Sequence, residues 1–141
     1  MERALADSLA HAQERVQFGR PIGKFQAVQQ LLAEAAGEVA AAGAIADAAA
    51  EALDGDDTAR LRLLAAAAKA RCGEAAGRVA TICHQVHGAI GYTREHHLHR
   101  ATRRLWRGRD AFGGERYWQE KLGAAALTAR GEGLWPLLTT L

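Results

Sequence analysis

Aromatic residues, proline, cysteine and methionine are all scarce in this 141-residue chain: Trp, Tyr and Phe together make 6%, beside two Pro, two Cys and one Met. With so few large rings, alanine supplies much of the 49% hydrophobic share, which predicts a core of small side chains. Cys72 and Cys83 fall on one predicted helix about 16 Å apart, beyond the reach of a disulfide; both read as buried thiols. No apolar run attains the roughly 20 residues of a membrane helix, and the first residues lack the charged-then-apolar pattern of a secretion signal. The expectation is a cytoplasmic chain with no membrane span. An excess of either charge is missing too, since the formal net charge is only +2, too little to argue for nucleic acid. Strand signals are nearly absent, because β-branched residues are few and no period-2 alternation persists.

What is present is a helical seam. From Val28 the apolar positions Val28, Leu32, Ala35, Val39, Ala42, Ala46, Ala49 and Leu53 alternate steps of four and three, a repeat of about 3.5 residues. The Asp54-Gly-Asp-Asp57 turn interrupts it, and the alternation resumes from Leu61 through Ala65, Ala68, Cys72, Ala75, Val79, Ile82 and Val86. This predicts two antiparallel helices of about 29 residues, each roughly 43 Å long, crossing near +20° as in a helix bundle. A shorter helix is expected over Glu2 to Arg15, a basic amphipathic one from about Arg94 to Arg107, and another from about Gly114 to Arg130. The tail Leu134-Trp-Pro-Leu-Leu138 is expected to fold back onto the bundle. The length suits one compact domain over residues 1–141.

Two segments carry most of the chemical information: Glu14-Arg-Val-Gln-Phe-Gly-Arg-Pro-Ile-Gly-Lys-Phe-Gln26 and Gln85-Val-His-Gly-Ala-Ile-Gly-Tyr-Thr-Arg-Glu95. Each is a helix end opening into a glycine-bearing turn. Helix ends offer unpaired backbone groups and a dipole, glycine admits a ligand to the backbone, and Arg and Gln add directed hydrogen bonds, which together suit a phosphate-containing ligand. The competing reading of the first segment is a plain helix–helix connection in which Phe18 plugs the core and Pro21 fixes the turn. The competing reading of the second is an ordinary glycine C-cap.

The histidines raise the question of a metal. His84 and His87 stand three apart and His96, His97 and His99 crowd the next turn, but few acidic residues accompany them and the cysteine spacing matches no zinc pattern; no metal site is expected. The helix bearing Arg94, Arg100, Arg103, Arg104, Arg107 and Arg109 lacks interleaved aromatics for stacking bases. It reads as a solvated or subunit-facing surface, with no nucleic-acid partner.

Both segments closely resemble the two signature segments of the C-terminal helical domain of acyl-CoA dehydrogenases. The resemblance implies an all-α, up-down four-helix bundle with an extra short C-terminal helix, and FAD as cofactor. Carried over, Arg15 pairs with the flavin pyrophosphate of a neighbouring subunit, Phe18 packs on the cofactor and Gln26 hydrogen-bonds it. Gln85, Gly88 and Ala89 contact the diphosphate, Ala89 standing where glycine is more usual and narrowing the backbone's approach. The family reaction removes a proton from Cα of an acyl-CoA thioester while hydride leaves Cβ for FAD, and needs a carboxylate base. The expected base position falls near Ala111, with Asp110 and Glu115 as neighbouring substitutes. The resemblance covers the last two-fifths or so of a family member, without its N-terminal helical and middle β domains, so this chain alone is expected to be inactive. The implied partners are an acyl-CoA substrate in the complete assembly and further subunits, in a homo-oligomer (dimer or tetramer) or in a hetero-oligomer with a second acyl-CoA dehydrogenase subunit. The alternatives are a non-catalytic helical partner in a heteromeric enzyme and a purely structural assembly bundle.

Overall fold

A computed structural model describes residues 1–129 and residue 136. Five α-helices run through residues 1–129: α1 (Glu2–Glu14), α2 (Gln26–Glu51), α3 (Thr58–His87), α4 (Leu98–Asp110) and α5 (Glu115–Ala129). The all-helical expectation therefore holds among the described residues. The expected tail helix, apart from Pro136, lies outside them.

The long helices stop where the sequence predicts. A 3₁₀ turn over Ala52–Asp54 ends α2. Asp57 then opens α3, its Oδ1 accepting the amides of Ala59 at 3.0 Å and Arg60 at 2.9 Å, so two of the orphan donors of a helix start are satisfied. The pair runs antiparallel: Arg78 faces Glu34, bonding its carboxylate, while nearer the connection Cys72 Sγ donates to Ala42 O at 3.5 Å.

Two compact units are drawn from these helices. The first comprises residues 1–40 and 75–108. Its core joins Ala12, Leu32, Ala35, Ile82 and Val86, with Leu5, Ile22, Val28 and Leu31 packed around them. A second cluster joins Ala4, Val79, Cys83 and Leu98. The other unit comprises, among the described residues, 41–74 and 109–129, with Ala42, Ala52, Leu64, Ala66 and Ala70 buried within it. Alanine is half of the buried hydrophobic residues of the first unit and four of the five in the second, as the composition predicts.

Three expectations need correction, and one competing reading fails. A two-residue hairpin, β1 (Val16–Gln17) against β2 (Arg20–Pro21), follows α1; strands that short carry no readable alternation. Phe18 does not plug the core but stands 92% exposed, because the hairpin turn lifts it away from the helices. Cys83 is buried, whereas Cys72 is only half-buried. Burial raises the pKa of both thiols above the ordinary value, keeping them protonated. Finally, α4 begins at Leu98 rather than Arg94, since a 3₁₀ turn over Gly88–Tyr92 and an irregular stretch come first.

Candidate functional site

Both signature segments lie in the first unit. The first starts at the C-terminus of α1, where the backbone of Arg15 turns extended (φ −72°, ψ 114°). Val16 then pairs with Pro21 and Gln17 with Arg20, leaving Phe18 and Gly19 as a two-residue loop with φ of +53° and +77°. Positive φ at both positions marks the turn that matches hairpin twist. Glycine enters that region freely, but phenylalanine pays about 1–2 kcal/mol for it. A large apolar ring is thus held in solvent by a strained backbone, and such strain concentrates at ligand contacts. Phe25 meets it edge-on at 6.1 Å and carries the Arg20 guanidinium 4.2 Å from its own centroid.

The surrounding polar groups face outward. Arg15, Gln26 and Gln85 are exposed, and no hydrogen bond or ion pair engages their side chains among the described residues. Nearby, by contrast, Gln29 donates to Gly23 O at 2.9 Å. At the end of α3, Gly88 has φ +63° and open space where a Cβ would stand. It is a glycine C-cap whose bare face is accessible. Gly91 serves differently: a Cβ there would come 3.0 Å from His87 Cβ and 3.1 Å from Leu98 Cδ2, so its lack of side chain permits close packing. Ala89 is exposed, and its methyl group borders the open face of Gly88.

A histidine stack brings the two segments together. The rings of His11, one turn before Arg15, and His87, next to Gly88, lie 4.4 Å apart at 20°. Ala12 and Val86, adjacent to these histidines, join the same core cluster. The sequence reading grouped His87 with His84 and His96 but missed His11, which comes from a helix remote in sequence. Beyond Gly91, His84 stacks on Tyr92 with centroids at 4.2 Å and its Nε2 meets Thr102 Oγ1 at 3.0 Å. Tyr92, Thr93, Arg94, His99, Arg100 and Arg103 line an open cleft of about 560 Å³, whose three guanidiniums suit an anionic ligand.

The expected base position lies in the second unit. Ala111 precedes Phe112 and Gly113, again with positive φ, +59° and +98°. Lys69 Nζ donates to Ala111 O at 2.7 Å and Trp118 Nε1 to Phe112 O at 3.1 Å. Arg109 Nε lies 2.9 Å from Asp110 Oδ1 and 3.7 Å from Glu115 Oε1. Both substitute carboxylates are engaged by one guanidinium.

A family model described as the C-terminal domain of acyl-CoA dehydrogenase matches residues 1–127. Acyl-CoA dehydrogenase FadE34 of Mycobacterium tuberculosis is 41% identical over 128 residues, 90% of this chain and 18% of that protein. Cyclohex-1-ene-1-carbonyl-CoA dehydrogenase of Geobacter metallireducens is 38% identical over 100 residues, 71% of this chain and 26% of the relative. Among solved structures, the ChsE4–ChsE5 complex of Mycobacterium tuberculosis aligns with TM-score 0.83 and 32% identity over 90% of this chain and 34% of that one. A glutaryl-coenzyme A dehydrogenase in complex with glutaryl-CoA aligns with TM-score 0.83 and 32% identity, covering 94% and 33%. The chain thus spans between 18% and 34% of the length of these proteins.

Proposed function

The chain belongs to the acyl-CoA dehydrogenase family, as its C-terminal domain, and from that premise we propose that the first unit supplies the contacts to the FAD diphosphate in a complete dehydrogenase. The observation that carries this reading is the Phe18-Gly19 turn: an exposed ring on a strained backbone, flanked in sequence by Arg15 and Gln26, both exposed and without side-chain hydrogen-bond partners among the described residues. These residues fit the group. Arg15 presents a planar fork suited to a pyrophosphate, Gln26 and Gln85 add amide donors, and the bare Cα of Gly88 admits a phosphate to the backbone. Phe18 offers an apolar face. When bound, FAD accepts the hydride in the family reaction; the role of these residues is to hold and orient it.

The complete enzyme would dehydrogenate an acyl-CoA thioester between Cα and Cβ, with subunits sharing cofactor sites through the Arg15 segment. A second reading, a non-catalytic partner within a heteromeric dehydrogenase, is favoured by the Ala111 turn, where Asp110 and Glu115 share the Arg109 guanidinium. The match to the ChsE4–ChsE5 complex agrees with either role. The decisive experiment is to purify the chain alone and together with a candidate partner subunit and record the flavin absorption spectrum. Yellow protein in the complex is expected, and colourless protein in both would overturn FAD contact. In an assembly holding FAD and acyl-CoA, Ala111→Glu should raise turnover; no gain would place the base elsewhere.

A further inference from the structure

His11, His87 and His96 come from three different elements, the last turn of α1, the end of α3 and the stretch before α4, yet one ring nitrogen of each lies within 4.8 Å of the others. His87 is the most informative. It is only 5% exposed, and its Nδ1 stands 2.8 Å from Cys83 O. A carbonyl can only accept, so Nδ1 carries the proton. With that proton on Nδ1, the neutral ring holds its lone pair at Nε2. That lone pair is buried and meets no donor among the described residues, an arrangement that costs stability unless something fills it. A histidine fixed through Nδ1–H by a backbone carbonyl, with Nε2 free, is how metal-ligating imidazoles are held.

The other two rings complete a set of three imidazole nitrogens. Of the carboxylates whose charge reaches these rings, Asp7 is engaged by His97 at 3.0 Å and by Arg3, and Glu14 is exposed. Without oxygen ligands, hard cations such as Ca²⁺ or Mg²⁺ are poorly served, whereas imidazoles suit Zn²⁺ and its neighbours. We propose that His11, His87 and His96 form a binding site for a borderline divalent cation of the Zn²⁺ type, with the fourth position open to water. Imidazole nitrogens on a tetrahedral ion with bonds of 2.0–2.1 Å are about 3.4 Å apart, so coordination draws these nitrogens closer and turns the His11 ring out of its stack on His87. His96 Nδ1 now accepts the Leu98 amide at 3.1 Å. Coordination gives up that bond whichever nitrogen binds, because the lone pair at Nδ1 is either taken by the ion or replaced by a proton.

The test uses the intact chain without flavin, so its outcome is independent of the FAD reading. Calorimetric titration with zinc chloride should give one equivalent bound, and cobalt chloride should develop the visible bands of tetrahedral nitrogen coordination. His11→Gln and His96→Gln should each weaken zinc by about 100-fold or more, beyond what loss of an outer-shell partner costs, while His99→Gln retains the affinity. If His11→Gln loses its helical circular dichroism, His96→Gln decides, since that ring sits in an irregular stretch. Absence of stoichiometric zinc binding by the folded chain, or undiminished affinity in the folded ligand variants, would overturn the site.

Discussion

The dipeptide Phe-Gly occurs at two turns, Phe18-Gly19 in the first unit and Phe112-Gly113 in the second, with the same backbone device. All four residues have positive φ, and the rings are 92% and 91% exposed. The surroundings differ. At the second turn the protein satisfies its own polar groups: Lys69 reaches two carbonyls, of Ala111 at 2.7 Å and Arg109 at 3.4 Å, Trp118 bonds Phe112 O, and Arg109 engages both acids. At the first, the guanidinium of Arg15 and the amide of Gln26 are exposed and unbonded among the described residues. A strained, exposed aromatic is therefore not in itself the mark of a ligand site. The mark is strain together with polar side chains that the chain leaves unanswered.

The glycines give the largest expected contrast. A Cβ on Gly113 would approach Tyr117 Cδ1 to 2.9 Å and Trp118 Nε1 to 3.1 Å at φ +98°, whereas one on Gly19 meets nothing within 4 Å. Gly113→Ala combines strain with overpacking and should cost about 2–4 kcal/mol, Gly19→Ala about 1. Urea denaturation measures both, and equal or reversed costs would break the distinction between a packed turn and an open one.

The next contrast lies in what each turn's cation serves. Arg15→Ala in the full assembly should weaken FAD by about 1.5–3 kcal/mol, the scale of a charge-assisted bond, with folding stability nearly unchanged. Lys69→Met should do the opposite, lowering folding stability by about 1–3 kcal/mol through two carbonyls left without their donor. Flavin retention on dilution and thermal melting separate the two effects. Unchanged occupancy in the Arg15 variant would remove its assigned role.

Acidity offers a regional test, because all six histidines belong to the first unit. Burial is the leading cause that pushes His11, His84, His87 and His96 below their ordinary pKa, with neighbouring histidines adding to it. The folded state then prefers the neutral rings. Their contribution is fully present above the unfolded value of about 6.5, and it is lost as pH falls from there through the depressed folded values, where the unfolded chain binds more protons. Amide-exchange protection, taken relative to the intrinsic exchange rate at each pH, should fall around residues 84–99 between about pH 7 and pH 5, more than around residues 109–118. A uniform fall in protection would sink the regional claim.

The helices were legible because 3.5-residue spacing runs through α2 and α3 and Asp54 to Asp57 supplies an unmistakable stop. Arg15, Gln26 and Gln85 were legible as candidates because directed donors beside glycine turns suggest anions. Other features had no local signal. Two-residue strands carry no period, and phenylalanine is among the last residues one expects at positive φ. His11 joins His87 only because the α1 seam packs Ala12 onto the core that holds Val86, a consequence of tertiary packing that no spacing within one segment encodes. The half-exposure of Cys72 likewise depends on what faces its helix.

The smallest expected effect is the sharpest test of the comparison. Asparagine tolerates positive φ better than phenylalanine, and a ring 92% exposed has little burial to lose. Phe18→Asn should therefore leave folding stability within about 0.5 kcal/mol or raise it slightly, while flavin is retained less well by the assembly. If stability instead falls by more than about 1 kcal/mol, the edge-on contact with Phe25 anchors the ring within the chain. Its exposure would then have the same internal explanation as that of Phe112, and the distinction between the two turns would reduce to their polar neighbours.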